Sequence, residues 1–229
     1  KLEVDMKFSN ETVNILKNFS MINPSIAFKK GNALATMSPQ KSIMARAMLD
    51  DEFPSDGAIY DLSRFLGVVS LFETPTYVFK ENQLEISGNG KSVNYTFADP
   101  SMIVTPTKES IDIPEPDLDI NIVWDQMNAV LRAANIMQLP EISITGDEEI
   151  TLEAINSSDP TSDKYTQSLG PNDTNHKFKF IFKTENMKLM SYDYHCKITS
   201  AGISQFTSRN EAGPEITYWI AVEQNSEFI

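Results

Sequence analysis

The chain has 229 residues, enough for one large or two small domains that each bury a core. It carries 19 lysines and arginines against 32 aspartates and glutamates, so its formal net charge is −13. Proteins that hold nucleic acid over their whole surface are usually basic, so this charge balance argues against that class. It is compatible with a local basic patch on an acidic protein.

Several other classes find no support in the residue pattern. No apolar run reaches 18 residues, so no membrane-spanning helix or membrane partner is predicted, and the lone Cys196 excludes an intrachain disulfide. With two histidines, no zinc spacing, no phosphate-binding glycine loop and no Ser/His/Asp-type signature, we predict no metal, no cofactor and no enzymatic activity. Residues 1–5 do not resemble a secretory signal, and Met6 is a candidate natural start behind a short extension.

The first half of the chain contains two patterns typical of amphipathic helices. The first is capped by Ser9, which is flanked by the hydrophobic pair Phe8 and Val13, and runs to about Phe19. The second covers residues 61–71, with Asp61 as the N-cap and apolar residues at helical spacing.

The second half contains two further helical patterns. One spans residues 121–137, and a shorter one runs from Glu185 to Met190 behind Thr184 as the cap, with Met187 and Met190 directed inward.

Strand patterns fill the intervals between the helices. They predict a hairpin at 25–37 turning at Lys30–Asn32, a strand near 42–49, a hairpin at 76–87, a strand at 93–97, a hairpin at 141–156, a strand at 177–182, a hairpin at 192–208 and a strand at 216–223.

The order helix, hairpin, strand recurs along the chain. The predicted helices start near residues 9, 61, 122 and 184, and this nearly constant period indicates an internally repeated architecture. We therefore predict an α+β fold of two similar domains, each with two helices packed on antiparallel sheets.

The middle of the chain has its own composition. Residues 105–119 contain three prolines and five acids with one base, which favours an extended connection. We predict a linker at 109–119 between an amino-terminal domain, 1–108, and a carboxyl-terminal domain, 120–229. A surface loop within one domain is the alternative interpretation.

The predicted helices are less acidic than the rest of the chain. Across the four helical spans the formal charge is +1, which leaves −14 elsewhere. Their exposed faces are rich in amides, hydroxyls and cations, a surface compatible with a polyanion but too weakly charged to bind one tightly. Ordinary solvated helix faces would look the same.

One strand offers a competing nucleic-acid surface. Phe178, Phe180 and Phe182 alternate with lysines, a pattern that could stack single-stranded bases. A strand that buries its aromatic side chains in the core is the simpler explanation.

Four segments resemble the sliding clamps of T-even-type bacteriophages. The segment Ala58–Leu71 resembles their second helix, and the region from Met6 to Asn23 resembles their amino terminus. Phe182–Leu189 is similar to their fourth helix, and Ala98–Ser101 also matches. The resemblance covers nearly the whole chain in length and order, is strongest in the first half, and is diffuse between about 140 and 175.

This resemblance implies a DNA polymerase processivity factor. Such clamps are homotrimeric rings of DNA-clamp domains, with twelve helices lining a hole through which double-stranded DNA passes without sequence specificity. The resemblance also implies the replicative DNA polymerase, a clamp loader ATPase and late transcription factors as partners, and the host cytoplasm of a phage-infected bacterium as the location.

The same resemblance assigns candidate site residues. The candidate DNA-facing residues are Asn14, Lys17, Arg64, Asn128, Arg132 and Lys188. A pocket for apolar carboxyl-terminal peptides of partner proteins is expected near the linker, with Ile111, Ile113, Leu118, Trp219 and Val222 as candidates. The alternatives are a β-rich structural phage protein that does not encircle DNA, and a single-stranded nucleic-acid binder.

Overall fold

The computed structural model describes residues 5–210 and 213–229. These residues form an α+β fold of two compact units, one made of residues 5–110 and 213–216 and the other of residues 111–210 and 217–229. The sequence before Asp5, part of the predicted extension ahead of Met6, lies outside the described residues.

The first unit contains two α-helices and eight strands. Its elements are β1 (Asp5–Met6), α1 (Asn10–Ser20), β2 (Ile26–Phe28), β3 (Gly31–Met37), β4 (Ile43–Phe53), β5 (Gly57–Ile59), α2 (Leu62–Val69), β6 (Thr76–Phe79), β7 (Gln83–Gly88) and β8 (Lys91–Thr96), followed by a 3₁₀ turn at Pro100–Met102.

The second unit contains one α-helix and nine strands. Its elements are β9 (Leu118–Ile122), α3 (Trp124–Met137), β10 (Glu141–Gly146), β11 (Glu149–Ile155), β12 (Tyr165–Pro171), β13 (Phe178–Lys183), a 3₁₀ turn at Thr184–Asn186, β14 (Tyr194–Ile198), β15 (Ile203–Ser208), β16 (Ile216–Ala221) and β17 (Glu227–Phe228).

Antiparallel sheets organise both units. The first has a sheet in the order β1-β6-β7-β8, a β3–β4 hairpin and a β2–β5 pair. The second has a sheet in the order β12-β11-β10-β13-β17, and strands β9, β14, β15 and β16 pair in that order. Strands β8 and β12 are therefore the outermost strands of their sheets among the described residues.

The predicted hairpin at 25–37 is wrong. β2 pairs with β5, and β3 pairs with β4 instead. The aromatic ring of Phe28 lies over Gly57, its partner in the register, where an added Cβ would come within 2.4 Å of the ring. Glycine at position 57 leaves room for the Phe28 ring, whereas any larger residue there would clash with it. The glycine therefore allows β2 to pair with β5.

The predicted fourth helix is also wrong. Only the 3₁₀ turn at Thr184–Asn186 forms, because Thr184 does not act as a cap: its N–H donates to Pro140 O at 2.9 Å and its hydroxyl to Leu139 O at 3.0 Å. Beyond the turn, Met187 and Leu189 are both buried, and alternate burial is typical of extended chain. The described residues thus hold three α-helices where four were expected.

The amino-terminal end of α3 and one strand also differ from the prediction. Residues 118–122 form β9, so α3 begins at Trp124 and not near Asn121. The exposed strand β12, at the edge of its sheet, was not predicted from the sequence.

Aromatic side chains fill the core of the first unit. Phe8 lies over Tyr77 with ring centroids 4.2 Å apart, and Phe28 stacks on Phe53 at 4.5 Å. Tyr77 is fully buried, and its hydroxyl finds no hydrogen-bond partner within the described part of the chain. Burial raises the pKa of this tyrosine, since the charged form would lose its hydration.

Replacing Tyr77 by phenylalanine is expected to increase the free energy of unfolding by up to about 1 kcal/mol, because a buried hydroxyl without a partner costs about 1–3 kcal/mol. Tyr194→Phe is the matched control, since that buried hydroxyl donates to Met190 O at 2.7 Å and its loss should cost about 1 kcal/mol. Urea denaturation measures the change in the free energy of unfolding of each variant, which should be positive for Y77F and negative for Y194F. A decrease in Y77F equal to that in Y194F would contradict the prediction.

Candidate nucleic-acid interface

Helix α1 presents a polar face because its cap and its apolar spacing fix its rotation. Ser9 Oγ accepts a hydrogen bond from Thr12 N at 3.1 Å, which confirms the predicted N-cap. Leu16 and Phe19, on the inner side, are buried, whereas Asn14 and Lys17 are exposed. Two of the predicted DNA-facing residues therefore share the outer face of this helix.

Helix α2 is capped and oriented in the same way. Asp61 Oδ1 accepts a hydrogen bond from Arg64 N at 2.8 Å, as predicted, and Phe65 packs inward while Arg64 remains exposed. The ring of Phe65 meets that of Tyr95 on β8 with centroids 5.3 Å apart. Burial and the carboxylate of Asp61 raise the pKa of Tyr95, and the nearby Arg64 opposes that shift.

Helix α3 begins with a cap supplied from another part of the chain. Val123 makes no side-chain cap, but Trp124 N donates to Asp193 Oδ1 at 2.7 Å, a remote contact that sequence spacing does not reveal. On the outer side of this helix Arg132 is exposed and Asn128 is half-buried. Ile136, one turn beyond Arg132, is 78% exposed, which is unusual for an isoleucine on a polar face.

Lys188 does not belong to a helical face. It follows the 3₁₀ turn in irregular chain between two buried residues and is itself half-buried. The helical cations are therefore Lys17, Arg64 and Arg132. Within the described residues, none of these three lies within 4.0 Å of a carboxylate oxygen, so their charges are available to an external anion.

The predicted peptide-pocket residues lie in three different settings. Trp219, which is 6% exposed, donates its indole N–H to Ile111 O at 2.9 Å and so fastens the segment that carries the half-buried Ile111 and Ile113. Leu118 is a core residue of β9 at 1% exposure. The buried Val222 borders a separate cavity of about 240 Å³ that also involves Phe180, Gly202 and Phe228.

Two family models match this chain. Residues 9–105 match the model of the DNA polymerase processivity factor, and residues 119–224 match that of the gp45 sliding clamp, C terminal. The chain belongs to the family of sliding clamps that act as DNA polymerase processivity factors. The resemblance to T-even-type phage clamps is thereby confirmed, and so is the prediction that the chain is not an enzyme, since clamps are non-enzymatic.

The clamp is similar to characterised phage proteins over nearly its full length. It is 30% identical to the sliding clamp of Escherichia phage RB69 over 227 residues, 96% of this chain and 98% of that protein. It is 28% identical to the sliding clamp of Vibrio phage KVP40 over 225 residues, 95% of this chain and 99% of that protein.

Solved structures confirm the clamp fold. A structure of A. fulgidus PCNA bound to the C-terminal region of FEN-1 superimposes with a TM-score of 0.71 at 14% identity, over 99% of this chain and 100% of that one. At this identity the likeness establishes the fold alone, and the α+β clamp-type prediction is confirmed.

The aromatic strand of the clamp cannot stack single-stranded bases. Phe178, Phe180 and Phe182 are 3%, 1% and 0% exposed, so their rings belong to the core of the second unit. That alternative nucleic-acid surface is wrong, and the simpler core interpretation holds.

The described residues offer neither a membrane-spanning helix nor a cluster of metal ligands. None of the helices in residues 5–210 and 213–229 has the length and apolar character needed to cross a membrane. The same residues contain no group of three or more His, Cys, Asp or Glu side chains arranged to hold a metal ion.

Proposed function

We propose that three copies of this clamp form a closed ring around double-stranded DNA and tether the replicative DNA polymerase for processive synthesis. The observation that carries the proposal is the set of exposed helical cations, Lys17, Arg64 and Arg132, on a chain whose net charge is −13. In this arrangement α1, α2 and α3 face the DNA, and Asn14 and Asn128 add neutral hydrogen-bonding groups.

Retention by enclosure explains why so few cations suffice. Each phosphate that a protein neutralises adds to affinity and to its dependence on salt, and each such contact must break when the protein moves along DNA. A ring that cannot leave a closed duplex needs little affinity, and sparse cations keep sliding fast. The acidic remainder of the chain repels DNA from the other surfaces.

The proposed ring contains fewer helices than the twelve that the resemblance implied. Each described chain contributes α1, α2 and α3, and the fourth position is taken by the 3₁₀ turn at Thr184–Asn186. The second unit consequently supplies one cation of the three, Arg132. The proposed clamp domains are residues 1–108 and 120–229, and residues 109–119 are the proposed linker between them.

Strands β8 and β12 are suited to join one copy to the next. Among the described residues each of these strands pairs with only one other strand, they have six and seven residues, and they lie in different units. A contact between two different surfaces of the same chain is heterologous and closes into a ring when its rotation permits. Antiparallel pairing would set Lys91, at the start of β8, near Asp173, just beyond β12; both are exposed.

Partner proteins complete the proposal. A clamp loader ATPase opens the ring, and late transcription factors use it as a mobile platform in the host cytoplasm. Partner peptides with apolar carboxyl-terminal ends dock at the segment that carries Ile111 and Ile113 and beside Val222, while Trp219 and Leu118 support that surface from beneath. The FEN-1 region bound to A. fulgidus PCNA supports this kind of docking.

Retention on circular DNA tests the proposed function. Protein loaded onto a nicked circular duplex is expected to co-elute with the DNA through gel filtration at moderate salt and to be lost when a restriction enzyme linearises the circle, because it can then slide off the ends. A linear duplex blocked at both ends by bound streptavidin should restore retention. Equal retention on open linear and circular DNA would contradict encirclement.

A further inference from the structure

Strand β17 covers one edge of a longer strand in the second unit. β13 has six residues, whereas β17 has two, and β17 pairs with Phe178 and Lys179 at the end of the sheet. Ile229 extends this pairing, because it exchanges two backbone hydrogen bonds with Lys177, at 2.8 and 3.1 Å. Three consecutive residues, 227–229, therefore cover this part of the β13 edge.

Further along β13 a turn replaces the neighbouring strand. Ile181 N donates to a side-chain oxygen, Ser226 Oγ, at 2.8 Å, and Ile181 O accepts a hydrogen bond from Glu223 N at 2.8 Å. In a regular antiparallel pair that N–H would donate to a backbone carbonyl. β13 consequently offers a longer edge than β17 uses.

The cavity of about 240 Å³ described above lies beside β17. Phe180 of β13 and Phe228 of β17 both line it, with ring centroids 6.2 Å apart. Phe180 is 1% exposed, whereas Phe228 is half-buried. Phe228 thus covers only part of an apolar site, and the cavity leaves space for a larger apolar side chain.

The outer side of β13 carries positive charge. Lys179 lies opposite Glu227 in the register, and among the described residues no carboxylate oxygen lies within 4.0 Å of the Lys179 ammonium nitrogen. Lys183, four residues further along the same side, is exposed. Opposite charges at facing positions stabilise an antiparallel pair. The edge therefore favours a strand in which acidic and large apolar residues alternate, as Glu227 and Phe228 do.

We propose that β17 is an exchangeable strand. An extended segment of a partner protein, in which acidic and large apolar residues alternate, displaces residues 227–229, pairs with β13 and places an apolar side chain in the cavity. Strand addition to a sheet edge is a common mode of peptide recognition, in which backbone hydrogen bonds give affinity and side-chain pockets give selectivity. Without a partner, β17 keeps this edge from pairing with other chains. This inference rests on the proposed docking of apolar partner peptides and gives them a point of attachment on β13.

The contacts favour a partner protein over a second copy of the chain as the occupant. Exchange of identical segments between two copies gains no contact, because each copy already pairs its own Glu227 and Phe228 with β13. A partner segment with a bulkier apolar side chain gains the burial that the cavity beside Phe228 offers.

A labelled peptide with the sequence of residues 223–229 tests the exchange. Phe228→Ala in the chain weakens its own strand, so the variant should bind this peptide at least about tenfold more tightly than the unmodified protein, with unchanged circular dichroism. Ile229→Ala is the matched control, since that side chain is 79% exposed and its loss should change the affinity by less than about twofold. No gain in F228A, or an equal gain in I229A, would overturn the inference.

A reversible disulfide tests the same exchange without loss of Phe228. Facing residues of an antiparallel pair have Cα atoms about 4.5–5.5 Å apart, so K179C/E227C can form the bond. The oxidised variant holds β17 on β13 and should bind both the peptide and the replicative polymerase at least about tenfold more weakly than the same protein after reduction. The native Cys196 does not compete, because it is buried.

Polymerase binding and DNA retention separate this inference from the proposed function. If the oxidised and reduced forms bind the polymerase equally well, partner docking proceeds without exchange, and the inference is overturned while the proposed function stands. If the unmodified clamp is retained equally on linear and circular DNA, the proposed function fails, whereas tighter peptide binding by F228A would still support the exchange. A molar mass above that of the unmodified assembly when F228A is mixed with unmodified protein would identify a second copy as the occupant and overturn the inference.

Discussion

Replacing Lys17, Arg64 and Arg132 together by glutamate is expected to lower processive DNA synthesis on a primed circle by at least about tenfold. A unit charge about 4 Å from a phosphate is worth about 1 kcal/mol in water, and each reversal turns that attraction into a repulsion of similar size. A ring of three copies repeats every reversal three times. Extension products from a single primer, measured with polymerase and loader present, report the loss.

A matched variant distinguishes the helical cations from net charge alone. K29E/K30E/K108E changes the formal charge by the same amount at exposed positions outside the helices, so it should leave product length within about twofold of the unmodified clamp. Both variants should retain the molar mass of the unmodified assembly. Equal losses in the two variants would mean that bulk charge controls loading, and no loss in the helical variant would remove these residues from the DNA-facing set.

The positions of the four predicted cations in the structure show where local sequence signals are sufficient to predict a helix. Lys17 and Arg64 lie where the sequence places them because Ser9 and Asp61 cap their helices from adjacent positions, so the capping hydrogen bonds and the apolar spacing act within a few residues. The prediction that Lys188 lies on a helical face required Thr184 to cap a fourth helix in the same way. That residue is instead held by the carbonyl groups of Leu139 and Pro140, about 45 residues earlier in the chain.

Long-range contacts account for the remaining differences in the fold. The start of α3 is set by Asp193, about 70 residues away, and β2 finds β5 because Gly57 leaves space for the ring of Phe28. Hairpins with short turns, such as β10–β11 and β14–β15, pair as their alternating residues predict, because both strands and the turn lie in one continuous segment.

Strand β12 was missed for a different physical reason. Its residues Tyr165–Pro171 alternate between exposed and half-buried, and the segment includes glycine, serine and proline, which weaken a strand pattern. An edge strand needs less apolar surface than a central one because it has one neighbour. Its position at the edge of the sheet weakens the apolar pattern by which sequence analysis recognises a strand, and the same position makes it available for pairing in the proposed ring.

Truncating Trp219 to alanine is expected to lower the free energy of unfolding by about 3–5 kcal/mol, because this side chain is 6% exposed and its loss leaves a large void. Trp219→Phe keeps most of the packing but removes the indole N–H that donates to Ile111 O, so a loss of about 1–2 kcal/mol is expected. Denaturant titration followed by circular dichroism measures both variants, and Trp124 remains as a fluorescent reporter in each.

The phenylalanine variant also separates the two roles of Trp219. If the indole fastens the segment carrying Ile111 and Ile113, amide hydrogen exchange at residues 111–117 should accelerate in W219F while exchange in β14 and β15 stays slow. Affinity for an apolar carboxyl-terminal peptide should fall in parallel, since a loosened segment must be ordered again on binding. Unchanged exchange together with weaker peptide binding would instead mean that the indole touches the peptide itself, and Trp219 would then belong to the lining of the pocket.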